Sequence, residues 1–158
     1  MKTDLETLCI RLKDNLKKDN SFTIPVISKD EIFLGSLRLI DKFQANRKCL
    51  IKKMTIWRNA SMGSFLTQFN ATEHRTKEWL DNVILPACDR FLFELLDDQN
   101  NSIGHAGVTN FNIKSAELDN FIRGEKGGDP LLFYYAELAI LEWLFNQISV
   151  SEVLLHVF

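Results

Sequence analysis

A strongly apolar run from Pro130 to Gln147 stands between two β-rich runs, Ala116 to Ile122 and Glu152 to Phe158. A helix of that length cannot be a hairpin turn. It is a crossover connection, and a crossover returns the chain so that the two strands lie parallel. Just before the helix comes "FIRGEKGGDP", Phe121 to Pro130, which puts three of the chain's 7 glycines between Arg123 and Asp129. The chain must therefore build a strand, a glycine loop, a helix and a parallel strand.

The remaining elements are read from apolar spacing. Leu5, Leu8, Cys9, Leu12 and Leu16 recur at helical intervals over Thr3 to Lys18, with Thr3 and Glu6 as a capping box. Asn20 to Lys29 holds Pro25 and reads as a connector or irregular strand. Ile32 to Ile40 is a strand. Asn46 caps a helix reaching Trp57, with Leu50, Ile51, Met54 and Trp57 on one face. Asn59 to Asn70 reads as a loop containing Gly63, Phe65 and Phe69, the two aromatics being core candidates. Thr72 caps a helix from Glu73 to Leu85, closed by Pro86. Arg90 to Leu96 and Ser102 to Phe111 form a hairpin around a polar turn. The fold class is α/β or α+β, a mixed central sheet flanked by helices.

The 158 residues fit one domain. A net charge of −2 gives no reason to expect nucleic acid or an acidic membrane surface as partner. Cys9, Cys49 and Cys88 are scattered, with no C-x-x-C pair and no Cys/His cluster. That points to a reducing compartment, cytoplasmic by default, without metal. No segment is long and apolar enough to span a membrane.

The glycine loop carries the sharpest chemistry. Asp129 suits an N-cap and Pro130 a first helical turn. Gly124, Gly127 and Gly128 then lie where free N–H groups and the positive helix end converge, beside Arg123 and Lys126, with Glu125 between them. This describes either a phosphate cradle or a tight turn without a ligand. The spacing fits neither a Walker loop nor a dinucleotide fingerprint.

At these residues the chain resembles the GNAT superfamily of acetyl-CoA-dependent N-acetyltransferases. "RGEKGGDPLLFYYAELAILEWLF" is similar to the family's pyrophosphate loop and helix, although Lys126 stands where the motif's first glycine is expected. "WRNASMGSFLTQFNATEHRTKEWL", Trp57 to Leu80, resembles the acceptor-side segment of a branch acting on nucleotide-linked amino sugars. The resemblance covers Ile32 to Phe158, the domain being taken as 31–158 after an N-terminal helix and connector, 1–30. Past "SEVLLHVF" the family continues with a Tyr-bearing helix and further strands, so the resemblance implies an incomplete C-terminus and an open strand edge suited to self-association. It also implies acetyl-CoA as co-substrate, held by Arg123 to Asp129. The backbone of Asn120, Phe121 and Ile122 would run along the pantetheine arm. Direct attack by an amine on the thioester follows. The acceptor is an amino sugar or nucleotide-sugar, with other small-molecule amines or a protein N-terminus as open alternatives. A non-catalytic binding module of the same fold is the competing reading.

Candidate catalytic residues are Asp119, on a strand where Glu117, Asp119, Phe121 and Arg123 alternate onto one face, and His105 in the hairpin. Each also has a plainer reading, a solvated strand residue for Asp119 and a packed histidine for His105. Trp57, Arg58 and Asn59 offer an aromatic, a guanidinium and an amide beside the loop for an acceptor, or else core packing and a helix end. His74 either faces the acceptor pocket or lies on the surface.

Overall fold

The computed structural model describes residues 3–64 and 69–155. Phe65 and the last three residues of the expected final strand lie outside the described residues.

Thr3 and Glu6 form the capping box of α1 (Asp4–Lys13), which stops well before Lys18. The stretch around Pro25 is a strand, β1 (Thr23–Ile27), antiparallel to β2 (Phe33–Leu39). β1 is an edge strand, where a residue without an N–H is tolerated. Asn46 is not the cap of the next helix. It belongs to a short 3-10 turn, Gln44–Asn46, and its amide donates to the Lys42 carbonyl at 2.7 Å. α2 (Lys48–Ala60) starts after Arg47 without a side-chain cap and runs on through Asn59. Thr72 does cap α3 (Glu73–Trp79), accepting from the Arg75 N–H at 3.1 Å. A π-helical stretch, Leu80–Ile84, carries the chain toward Pro86.

The expected hairpin is β3 (Phe91–Asp97) and β4 (Ser102–Thr109), and β5 (Ser115–Arg123) pairs antiparallel with β4. α4 (Leu132–Glu142) continues as a π-helical stretch, Trp143–Ile148, and leads to β6 (Glu152–Leu155). β6 pairs parallel with β5, as the crossover requires. The strand order follows the sequence from β1 to β6.

Helices cover both faces of this α+β sheet. Leu132, Ala136 and Ile140 of α4 and Cys9 of α1 join the larger core with Leu37, Phe91, Phe93 and Leu95. Leu50, Ile51, Met54 and Trp57 of α2 build a second core on Leu92 and Ile122. β3 and β4 are buried along their whole length. That is why the "FLFELL" run is continuous and not alternating.

Candidate active site

β5 is regular from Glu117 to Asp119, opposite Thr109 to Gly107, and then shifts register so that His105 faces Ile122. The extra residue is a β-bulge at Asn120, whose φ is 56°. The bulge changes which side chains share a face. Glu117, Asp119, Phe121 and Arg123 do not alternate onto one face. Phe121 and Arg123 both lie on Phe133 of α4, with ring centroids 6.5 Å apart and the guanidinium 5.9 Å from the ring centre. Ile122 joins the α2 core, while Leu118, next to Asp119, joins the α4 core. Asp119 therefore lies on the α2 side. β6 pairs with Ser115 to Leu118 only, so among the described residues Asp119 to Arg123 have no strand on that side.

The loop after β5 uses its glycines differently. The N–H groups of Gly124 and Glu125 both donate to the Ile103 carbonyl, at 2.8 and 3.0 Å. A Cβ on Gly124 would sit 2.2 Å from the Trp57 ring. Gly128 has φ of +68°, a conformation that side chains resist. Gly127 has neither constraint, its Cβ position meeting only Ile103 at 3.5 Å. Arg123 donates to the Gly127 carbonyl at 2.8 Å and closes the loop, and Glu125 pairs with Lys53 of α2 at 3.0 Å. Asp129 does not cap α4 directly; the N-cap position is Leu131, whose N–H donates to the Asp129 carboxylate at 2.8 Å. Among the described residues, the N–H groups of Lys126, Gly127, Gly128 and Asp129 have no acceptor. Four unengaged donors in the loop that leads into a helix, beside Arg123 and Lys126, suit an anion.

The other candidate residues fall into two groups. His105, 4% exposed, faces the Trp57 ring at 6.2 Å, and its Nδ1 lies 2.6 Å from the Asn120 carbonyl. Burial pushes its imidazole down to about 4, with the carbonyl contact opposing weakly. Trp57 is 2% exposed and belongs to the core, spanning His105 and Gly124. Asp119 is exposed, and its carboxylate accepts from the Asn120 amide at 2.8 Å. These residues gather at the bulge and the first glycine.

Arg58, Asn59 and His74 lie at the far end of α2 and the start of α3. Arg58 and Arg75 both lie against Phe69, 4.8 and 5.5 Å from its ring centre. Asn59 clamps Ala71, accepting from its N–H at 2.7 Å and donating to its carbonyl at 3.0 Å. His74 is exposed and pairs with Glu78 at 3.2 Å.

Two participants escaped the sequence. Lys53 links α2 to Glu125 and donates to the Ser102 carbonyl at 2.8 Å. Glu94, fully buried opposite His105, receives Arg38 at 2.8 Å and Arg47 at 3.0 Å. A carboxylate inside an apolar strand was the only sign of it. Two concavities lie away from the loop, one between β1 and α4, the other beside α1.

No protein-family model and no curated protein matches the sequence. Solved structures do match. FdhC, described as a nucleotide-linked sugar GNAT, aligns with 73% of this chain and 65% of its own length at 18% identity and a TM-score of 0.55. A GNAT family acetyltransferase from Staphylococcus aureus aligns with 77% of this chain and 85% of its own, at 17% identity and 0.58. A GCN5-related N-acetyltransferase from Brucella melitensis aligns with 81% and 60%, at 13% identity and 0.59. The match thus spans less than two thirds of the FdhC and Brucella chains. The chain has the GNAT fold.

Proposed function

We propose that the protein transfers an acetyl group from acetyl-CoA to a primary amine. The observation that carries this reading is the loop between β5 and α4, with four N–H groups unengaged among the described residues and two cations at the start of a helix. It stands in the segment that joins the parallel pair of a GNAT sheet. The donor set fits a pyrophosphate, an anion with several acceptor oxygens. The backbone of Asn120 to Ile122, on the stretch of β5 that β6 leaves unpaired, is then the wall for the pantetheine arm.

In this reading the amine nitrogen attacks the thioester carbon, the carbon–sulfur bond breaks, and the thiolate leaves and takes up a proton. The amine's proton passes to Asp119, an exposed carboxylate beside the bulge. The acceptor is an amino sugar carried on a nucleotide, supported by the likeness to FdhC. The setting is the cytoplasm, with no nucleic acid or membrane partner. Among the described residues no helix is long and apolar enough to cross a membrane. β6 is an edge of the sheet and offers a surface for self-association.

Calorimetric titration with acetyl-CoA tests the reading. Binding is expected, weakened by Arg123→Ala and abolished by Gly128→Glu. Unchanged affinity in both variants would remove the cradle. Binding without turnover on any amine, amino sugars included, would leave a non-catalytic module.

A further inference from the structure

Among the described non-glycine strand residues, Asn120 alone has a positive φ, in the left-handed region. Such a residue turns its carbonyl out of the ladder, and a buried carbonyl needs a donor. The donor comes from the neighbouring strand, where Nδ1 of His105 lies 2.6 Å from the Asn120 oxygen. A carbonyl oxygen can only accept, so Nδ1 carries the proton. The ring is wedged beneath Trp57, and Trp57 lies against Gly124. One imidazole therefore reaches the bulge directly and the first glycine through one indole.

The bulge decides the face of everything after it. Shifting β5 by one residue would exchange the faces of Ile122 and Arg123. Arg123 would leave Phe133 and the Gly127 carbonyl, and the loop would lose its closure.

We propose that His105 is a positioning residue, whose Nδ1–H holds the Asn120 bulge and thereby presents Arg123 and the glycine loop on the α4 side. It acts through Asn120 and is not the base. The charged groups nearby do not compete for that proton. Glu94, opposite on β3, is engaged by Arg38 and Arg47. Lys53, on α2, holds Glu125. Asp119 is paired with the Asn120 amide.

The binding readout rests on the acetyl-CoA reading, so the test has an arm without ligand. Nitrogen-15 imidazole spectra of the free chain should show His105 neutral, in the Nδ1–H tautomer, from pH 8 down to about 5. An Nε2–H tautomer overturns the proposal, since Nδ1 would then face the Asn120 oxygen without a proton. In the second arm, His105→Leu removes the donor and His105→Asn restores an N–H near the Nδ1 position. Acetyl-CoA affinity should fall about tenfold or more in the first and return to within about threefold in the second. Equal loss in both, or no loss in folded His105→Leu, overturns the proposal. So does a kcat for His105→Asn reduced about a hundredfold or more at unchanged affinity, the signature of a lost base. If the unsubstituted chain does not bind acetyl-CoA, the functional reading fails on its own. The tautomer, together with faster amide exchange at Ile122 in His105→Leu but not in His105→Asn, then decides the bulge.

Discussion

The indole of Trp57 occupies the space that a Cβ on residue 124 would need, approaching that position to 2.2 Å. Two residues that are far apart in sequence thus specify each other. Gly124→Ala is expected to cost about 1–3 kcal/mol by overpacking. The cost should shrink in a Trp57→Leu background, with a coupling of about 0.5 kcal/mol or more in a double-mutant cycle by urea unfolding. Additive effects would show that the ring and the glycine do not meet.

The other two loop glycines should separate cleanly. Gly128→Ala forces a side chain into a positive φ, with Leu132 at 3.0 Å and Asp97 at 3.2 Å from the new Cβ. A loss of about 1–2 kcal/mol is expected. Gly127→Ala meets only an ordinary contact and should stay within about 0.5 kcal/mol. Denaturation midpoints at constant m-value read both, and a reversed order would contradict the loop conformation.

The buried carboxylate of Glu94 is held by two arginines whose side chains are 26% and 27% exposed. Glu94→Gln leaves two guanidinium groups facing a neutral amide. It should destabilise the chain by about 3–5 kcal/mol, far more than a surface ion pair is worth. Chemical denaturation measures it, and a loss below about 1 kcal/mol would mean that the arginines find solvent instead.

Acid sensitivity has a definite sign. His105 in the folded chain titrates at about 4, against about 6.5 when unfolded, because burial disfavours the imidazolium. Between those values the unfolded chain binds more protons, so stability rises with pH. The contribution is complete above about 6.5, is lost as pH falls toward about 4, and amounts to about 3 kcal/mol at most. Unfolding free energies at pH 7, 5.5 and 4.5 should trace this slope, and His105→Asn should flatten it. An unchanged slope in the variant would assign the effect to other groups.

Much of the fold was legible because it follows from local rules. The helix between Ala116–Ile122 and Glu152 could only be a crossover, and the parallel β5–β6 pair follows. The capping pair Thr3 and Glu6, and Thr72, act where their spacing places them. The strand through Pro25 was half hidden, since proline speaks against a strand unless the edge position is known. The bulge at Asn120 was hidden entirely. Alternation assumes a regular strand, and one extra residue moved Phe121 and Arg123 to the opposite side from Asp119. Glu94 was opaque for a different reason. Its partners Arg38 and Arg47 lie 56 and 47 positions earlier, and nothing local marks a pairing at that distance.

The strand order, in which every neighbour in space is also the neighbour in sequence, bears on how the chain assembles. Each strand can dock on an edge already made by its predecessor, so the sheet can grow in one direction as the polypeptide leaves the ribosome. Two closures stand out as slow. One joins β2 to β3 across the α2–α3 excursion, and the other seats β6 after α4. Pulse-labelled exchange during refolding is expected to protect the β3–β4 hairpin first and β6 last. The β5–β6 edge would then be the final part of the molecule to acquire shape, and early protection of β6 would argue against that order.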